Sequence, residues 1–261
     1  MTVQRRLGAF LSSAALLCGV ARATAPSYTL QGIVNAGNYA AGPFAPNSIL
    51  TIFGTGLARS SQQLTAGDIQ SGRMPTELNY TEVFVDNYPA PLFYVSDSQI
   101  NFLVPSNQSL GPMKIRVASE GNSGPEITVT VVDAAPALFT WTPGYAIATH
   151  VDNSLITADS PAHAGEIVVI YATGLGKTAP NPATGEIPQY AAQIAALSSF
   201  QVLLGGVAVD RGLIKYAGLT PESAGLYQIN LEVPGNAGTD PEIRLAASGQ
   251  TSASGLKLAI R

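Results

Sequence analysis

Residues 99–105 read QINFLVP, and residues 228–234 read QINLEVP. A β-strand sends successive side chains to opposite faces, so Ile100, Phe102 and Val104 share one face while Gln99, Asn101 and Leu103 share the other. The second copy keeps the pattern: Ile229, Leu231 and Val233 lie on the apolar face, and Glu232 stands where the first copy has Leu103. The acid marks that outer face as the solvated one. Pro105 and Pro234 stop each strand, because proline has no N–H to give to a ladder. Neither copy holds His or Cys, so the heptad reads as a core strand. Its Gln and Asn are expected to bond nearby backbone groups.

The heptad has company. IFGTGL (52–57) returns as IYATGL (170–175) at an offset of 118 residues, and the heptad itself returns at 129. Two motif pairs in the same order indicate duplication. The second half is thus longer by 11 residues between the motifs, most simply within residues 180–199. In TGL a strand ends and glycine permits a positive φ before the chain turns. The expected organisation is two domains, residues 28–135 and 136–261, joined near DAAP (133–136).

Only 11% of residues are charged, while the chain carries 26 Gly and 18 Pro, a composition poor in helix formers and rich in turns. Short β-rich runs recur: SILTIF (48–53), EVFV (82–85), ITVTVV (127–132), IVVIY (167–171) and LIKY (213–216). Their spacing predicts an all-β chain built as sandwiches. One helix is expected, over the alanine-rich QYAAQIAALS (189–198).

The first residues read differently. Arg5 and Arg6 precede the apolar run 7–20, and Ala21-Arg22-Ala23 offers a small-x-small cleavage pattern. Residues 1–23 are read as a secretory signal peptide. They hold three arginines and no acid, so removing them takes the formal charge from −4 to −7. No basic stripe remains for nucleic acid. The single Cys, Cys18, leaves with the signal, so no disulfide is expected in the remainder. No other run is long and apolar enough to predict a membrane span.

The phrases VNAGNYAAGPFAPNSILTIFGTGLA (34–58), PAPLFYVSDSQINFLVP (89–105), GEIVVIYATGLG (165–176) and GLYQINLEVP (225–234) resemble the Solibacter uncharacterised C-terminal domain family. The resemblance implies a bacterial, exported chain of two tandem immunoglobulin-like β-sandwich domains similar to IPT/TIG domains. It implies no activity and no cofactor.

Several motifs suggest chemistry. ATGLGKT (172–178) ends like a phosphate-cradling loop, but position 171 is Tyr where that motif needs Gly, and Ala179-Pro180-Asn181-Pro182 forbids the helix that must follow. Ser160, His163 and Asp159 can be written as a hydrolytic set, yet adjacency in sequence is not a triad, and His150 is expected on a short strand. A hydrolase reading requires a concave pocket holding His150 or His163 beside an acid. No metal-ligating spacing occurs, although a calcium ion held between the domains by distant loop oxygens is an open alternative. Asp86-Asn87 and Asp152-Asn153 read as tight turns.

LFTWTPGY (138–145) carries the chain's only Trp, Trp141, with Phe139 and Tyr145. These aromatics are expected to pack between the two sandwiches. Alternatively they form a platform that stacks on sugar rings or anchors a partner protein. The reading adopted is a noncatalytic, secreted or cell-surface module for adhesion or scaffolding, whose partner is an extracellular protein or glycan. A carbohydrate-binding module centred on Trp141 and a hydrolase with an unrecognised site are the alternatives.

Overall fold

The computed structural model describes residues 24–142 and 144–261; the signal peptide read in residues 1–23 lies outside them. The chain is all-β, and among the described residues helical structure is limited to three single 3-10 turns.

The first seven principal strands are β1 (Ser27–Asn35), β2 (Ile49–Thr55), β3 (Thr81–Val85), β4 (Leu92–Val95), β5 (Gln99–Leu103), β6 (Gly111–Ser119) and β7 (Ile127–Val131). One antiparallel sheet runs β1-β2-β5-β4, and the other places β6 between β7 and β3. Ile52, Ile100 and Phe102 from the first sheet meet Val83, Ile115 and Val129 from the second in one buried core. Two sheets closing on a shared apolar layer make a sandwich.

The chain repeats the plan with β8 (Thr140–Thr142), β9 (Tyr145–Ala146), β10 (Ile167–Thr173), β11 (Ala192–Ile194), β12 (Gln201–Leu204), β13 (Ile214–Leu219), β14 (Tyr227–Glu232) and β15 (Ile243–Ala247). One sheet runs β10-β14-β13-β11, and β12 pairs β15 in the facing sheet. Ile170 and Ile229 pack with Val202 and Leu245 in a second core that shares no residue with the first. The strands β8 and β9 stand apart as a two-stranded hairpin.

The duplication extends to register. Ile52 lies opposite Ile100 in the β2–β5 pair, and Ile170 lies opposite Ile229 in the β10–β14 pair. The irregularity repeats too: the ladder slips between Leu92 and Tyr94 so that Tyr94 faces Asn101, and between Ile214 and Tyr216 so that Tyr216 faces Asn230. A bulge increases local twist and re-aims the strand, so each copy of the heptad lies against a bent neighbour. The Gly of each TGL has the positive φ expected, 64° at Gly56 and 78° at Gly174.

Gln99 and Asn101 do not serve the backbone as anticipated. Gln99 Nε2 donates to Asn101 Oδ1 at 2.9 Å, and Gln228 Nε2 donates to Asn230 Oδ1 at 3.1 Å. Residues two apart on a strand share a face, so in each heptad the Gln bonds its own Asn, and in the first Thr51 Oγ1 adds a bond to Asn101 Oδ1 at 3.0 Å.

The predicted helix over 189–198 is absent. Ala192 and Ile194 are buried and Gln193 is exposed, an alternation of period two, and Ala192 and Gln193 pair with Leu219 and Gly218 of β13. A ten-residue helix is marginal alone, whereas the open edge of β13 offers this segment a ladder. A 3-10 turn at Leu197–Ser199 is the only helical part.

The insertion binds the two sandwiches together. Residues 180–188 leave the second sandwich and lie along the first, where Met74 N donates to Gly185 O at 2.9 Å and Ile187 N donates to Gly72 O at 2.9 Å. Asn47 Nδ2 donates to Asn181 Oδ1 at 3.2 Å, and Asn181 Nδ2 donates to Ser106 O at 3.1 Å. Beneath this strap Met74, Leu103 and Ala224 form a small buried cluster, flanked by Ile49, Phe93 and Ile187. Leu103, expected on a solvated face, is only 2% exposed because the second sandwich covers it.

Candidate functional site

Local pairing fixes where the aromatic segment lies. In the β8–β9 hairpin Thr140 faces Ala146 and Thr142 faces Tyr145, and Gly144 turns the chain at φ 90°. The hairpin is tied to the chain's last strand region, where Ala146 N donates to Lys257 O at 3.0 Å and Lys257 N to Gly144 O at 2.8 Å. Thr140, Trp141 and Thr142 are all exposed, and Trp141 shows 60% of its surface to solvent. The expectation that Trp141 packs between the sandwiches is therefore corrected: the strap and the Leu103 cluster occupy that junction.

The three aromatics do not act as one surface. Phe139 is half-buried, its backbone tied to Tyr171 O and to Ile147 N at the foot of the hairpin. Tyr145 packs against the second core, and its hydroxyl donates to Asp240 Oδ2 at 3.3 Å. Asp240 Oδ1 pairs with Arg261 Nη1 at 2.6 Å. The Arg261 guanidinium holds the Asp240 carboxyl below the usual carboxylate range. Trp141 alone offers a free ring.

The hydrolytic set assembles differently from the expected one. His163 Nδ1 faces the Arg261 carbonyl at 3.2 Å, away from Ser160. His150 takes its place: its Nε2 lies 3.3 Å from Ser160 Oγ, and its Nδ1 is hydrogen-bonded to Glu166 Oε1. Glu166 Oε2 in turn accepts from His163 N at 3.0 Å. The order nucleophile, base, acid is that of a triad, but a triad also needs donors aimed at a developing oxyanion. Ser160 N already donates to Thr157 Oγ1 at 3.1 Å, and residue 161 is proline without an N–H. The arrangement is a clasp across the loop between residues 150 and 166, and the Glu166 bond raises the His150 pKa above 6.5.

The remaining motifs resolve into structure. Thr178 lies in a short strand pairing β11, and its Oγ1 donates to Pro180 O at 2.8 Å. A Cβ on Gly176 would sit 2.1 Å from Asp133 O, so this loop packs on the inter-sandwich linker and cradles no phosphate. Asp86 and Asn87 have φ of 47° and 70° at the tip of a hairpin pairing Val85 with Tyr88. Among the described residues no three His, Cys, Asp or Glu converge as metal ligands. No described helix is long and apolar enough to cross a membrane.

No curated protein matches the chain. Among solved structures it is similar to SGBP-B from a complex xyloglucan utilization locus in Bacteroides uniformis, at 11% identity over 89% of this chain and 49% of that one, with a TM-score of 0.27. It is similar also to the surface glycan-binding protein PbSGBP-B from Prevotella bryantii, at 13% identity over 88% and 41%, TM-score 0.25. A third is SGBP-B of the Bacteroides ovatus mixed-linkage glucan utilization locus, at 14% over 83% and 43%, TM-score 0.30. The chain thus spans half or less of the length of these structures. The sequence of the first sandwich is the informative part: residues 33–135 match the IPT/TIG domain, and this chain carries an immunoglobulin-like domain of that family.

Proposed function

We propose that the protein is a noncatalytic interaction module, secreted or displayed at a cell surface, composed of domains 28–135 and 136–261. The closeness of its phrases to the Solibacter uncharacterised C-terminal domain family and the signal-like residues 1–23 support an exported bacterial origin. One observation carries the functional reading: the only Trp stands 60% exposed on a surface hairpin. An exposed aromatic of this size is the residue type that anchors partners. The partner is an extracellular protein or glycan that contacts Trp141, with Phe139 and Tyr145 supporting the hairpin from beneath.

Because Trp141 is the only Trp, its fluorescence reports on the hairpin directly. Titrating the protein with native cell-envelope extract fractions should blue-shift that emission, and Trp141→Ala should lose capture of the same fraction while keeping its thermal midpoint. Unchanged capture by the folded variant would remove the hairpin from the interaction.

A further inference from the structure

A groove of about 560 Å³ opens beside the strap, within the range of about 300–1,000 Å³ seen for small-molecule sites. It shares no lining residue with the Trp141 hairpin and draws its lining from the first sandwich and, through Thr184, from the strap of the second. Tyr88, on the Asp86-Asn87 hairpin, is 74% exposed and contributes an aromatic ring. Buried prolines 91 and 105 add apolar surface. Pro105 is the residue that ends the first heptad, so the strand stop also forms part of the groove.

The polar lining has two parts, one spent and one unspent. Asp86 is internally satisfied: its Oδ2 accepts from Gln108 Nε2 at 2.7 Å, and its Oδ1 accepts from Lys114 N at 2.8 Å. This carboxylate fixes the buried Gln108 in place. Asn107 Oδ1 accepts from Thr184 Oγ1 at 3.3 Å, and its amide N–H groups have no partner among the described residues. Arg73 Nη1 donates to Thr184 O at 3.3 Å, and the rest of its fork has no partner among the described residues. Planar amide and guanidinium donors around an aromatic and prolyl surface suit a ligand with hydroxyls at its edge and C–H bonds on its face. A fully apolar ligand would leave those donors dry and unpaired.

We propose that this interdomain groove binds a saccharide, with Tyr88 stacking on a pyranose ring and Asn107 and Arg73 donating to its oxygens. Thr184 belongs to the strap, so the site is complete only when the two sandwiches are docked. Saccharide binding then stabilises the docked arrangement, since a ligand that binds one state favours it.

The test is a screen of the full chain against an array of defined oligosaccharides, neutral and uronic-acid-bearing, followed by calorimetric titration with each soluble binder. At least one saccharide is expected to bind, and Tyr88→Ala and Asn107→Ala should each weaken it tenfold or more. Both side chains are exposed, so an unchanged thermal midpoint separates lost binding from lost folding. Trp141→Ala should leave the affinity within twofold, and saturating saccharide should leave Trp141 emission unshifted. Absence of any saccharide binding overturns the proposal, as do wild-type affinities in both groove variants. Loss confined to Trp141→Ala also overturns it and moves the sugar to the hairpin, leaving the interaction-module reading standing.

Discussion

Leu103 and Glu232 occupy the same place in two copies of one strand, and their surroundings explain the difference. Leu103 packs with Met74 and Ala224 under the strap, while Glu232 lies half-exposed and pairs with Lys215 Nζ at 2.8 Å. Opposite Leu103 sits Gly225, with φ 71°; a Cβ there would come within 2.5 Å of Leu103 Cδ1. The glycine answers both a conformational and a packing demand. Copying the second repeat into the first, Leu103→Glu, should bury an unpaired carboxylate and cost about 3 kcal/mol or more. The expected readout is a faster-cut linker at residues 133–136 in limited proteolysis, with both cores still folded by methyl NMR. Resistance equal to wild type would show that Leu103 does not hold the sandwiches together. The His150–Glu166 clasp is a second, weaker contact. His150 has a raised pKa in the fold relative to its ordinary 6.5, caused first by the Glu166 hydrogen bond, so its contribution is complete below pH 6.5. It fades as pH rises above that value and the ring loses its proton. The pair is partly solvent-exposed, which limits the effect to about 0.5–1 kcal/mol. Urea midpoints should therefore fall as pH rises from 6 toward 8, and Glu166→Gln should flatten that slope.

Among elements, strands with alternating apolar residues were legible and the edge segments were not. Ile100, Phe102 and Val104 announce their face by period two, and their places in the core follow. Residues 189–198 carry helix-forming alanines, and only the unpaired edge of β13, invisible in sequence, makes them extended. The same blindness applies to the clasp: Glu166 is 16 residues from His150, and no local spacing joins them. The 11-residue excess of the second half was legible as a length, while its role as a strap depends on where the sandwiches meet. Ile187 sits half-buried in that contact and its N–H donates to Gly72 O. Ile187→Asp should lift the strap, and amide exchange at Met74 should accelerate at least tenfold, since an opening penalty lost by about 1.4 kcal/mol is a factor of ten in protection. The linker should stay protected, because Ala135 N still donates to Gly174 O at 2.7 Å. Exchange unchanged at Met74 would mean that the strap is held by something other than Ile187.

For the whole molecule, the question is whether two sandwiches behave as one body. Each has its own core, and neither core shares a residue with the other. What joins them is three buried apolar side chains and a short row of hydrogen bonds. Burying a large apolar side chain is worth about 1.5–3 kcal/mol, so Met74 and Leu103 together bring about 3–6 kcal/mol to the junction. That is a sizeable fraction of the 5–15 kcal/mol stability of a typical domain, enough to make the weaker sandwich unfold with the stronger. A calorimetric scan of the full chain should show one transition whose calorimetric and van't Hoff enthalpies agree. The double variant Leu103→Glu, Ile187→Asp removes both halves of the junction and should resolve two transitions with nearly the same summed enthalpy. Two transitions already present in the wild-type scan would show that the sandwiches are thermodynamically independent, and the strap would then position the groove beside Tyr88 without contributing to stability.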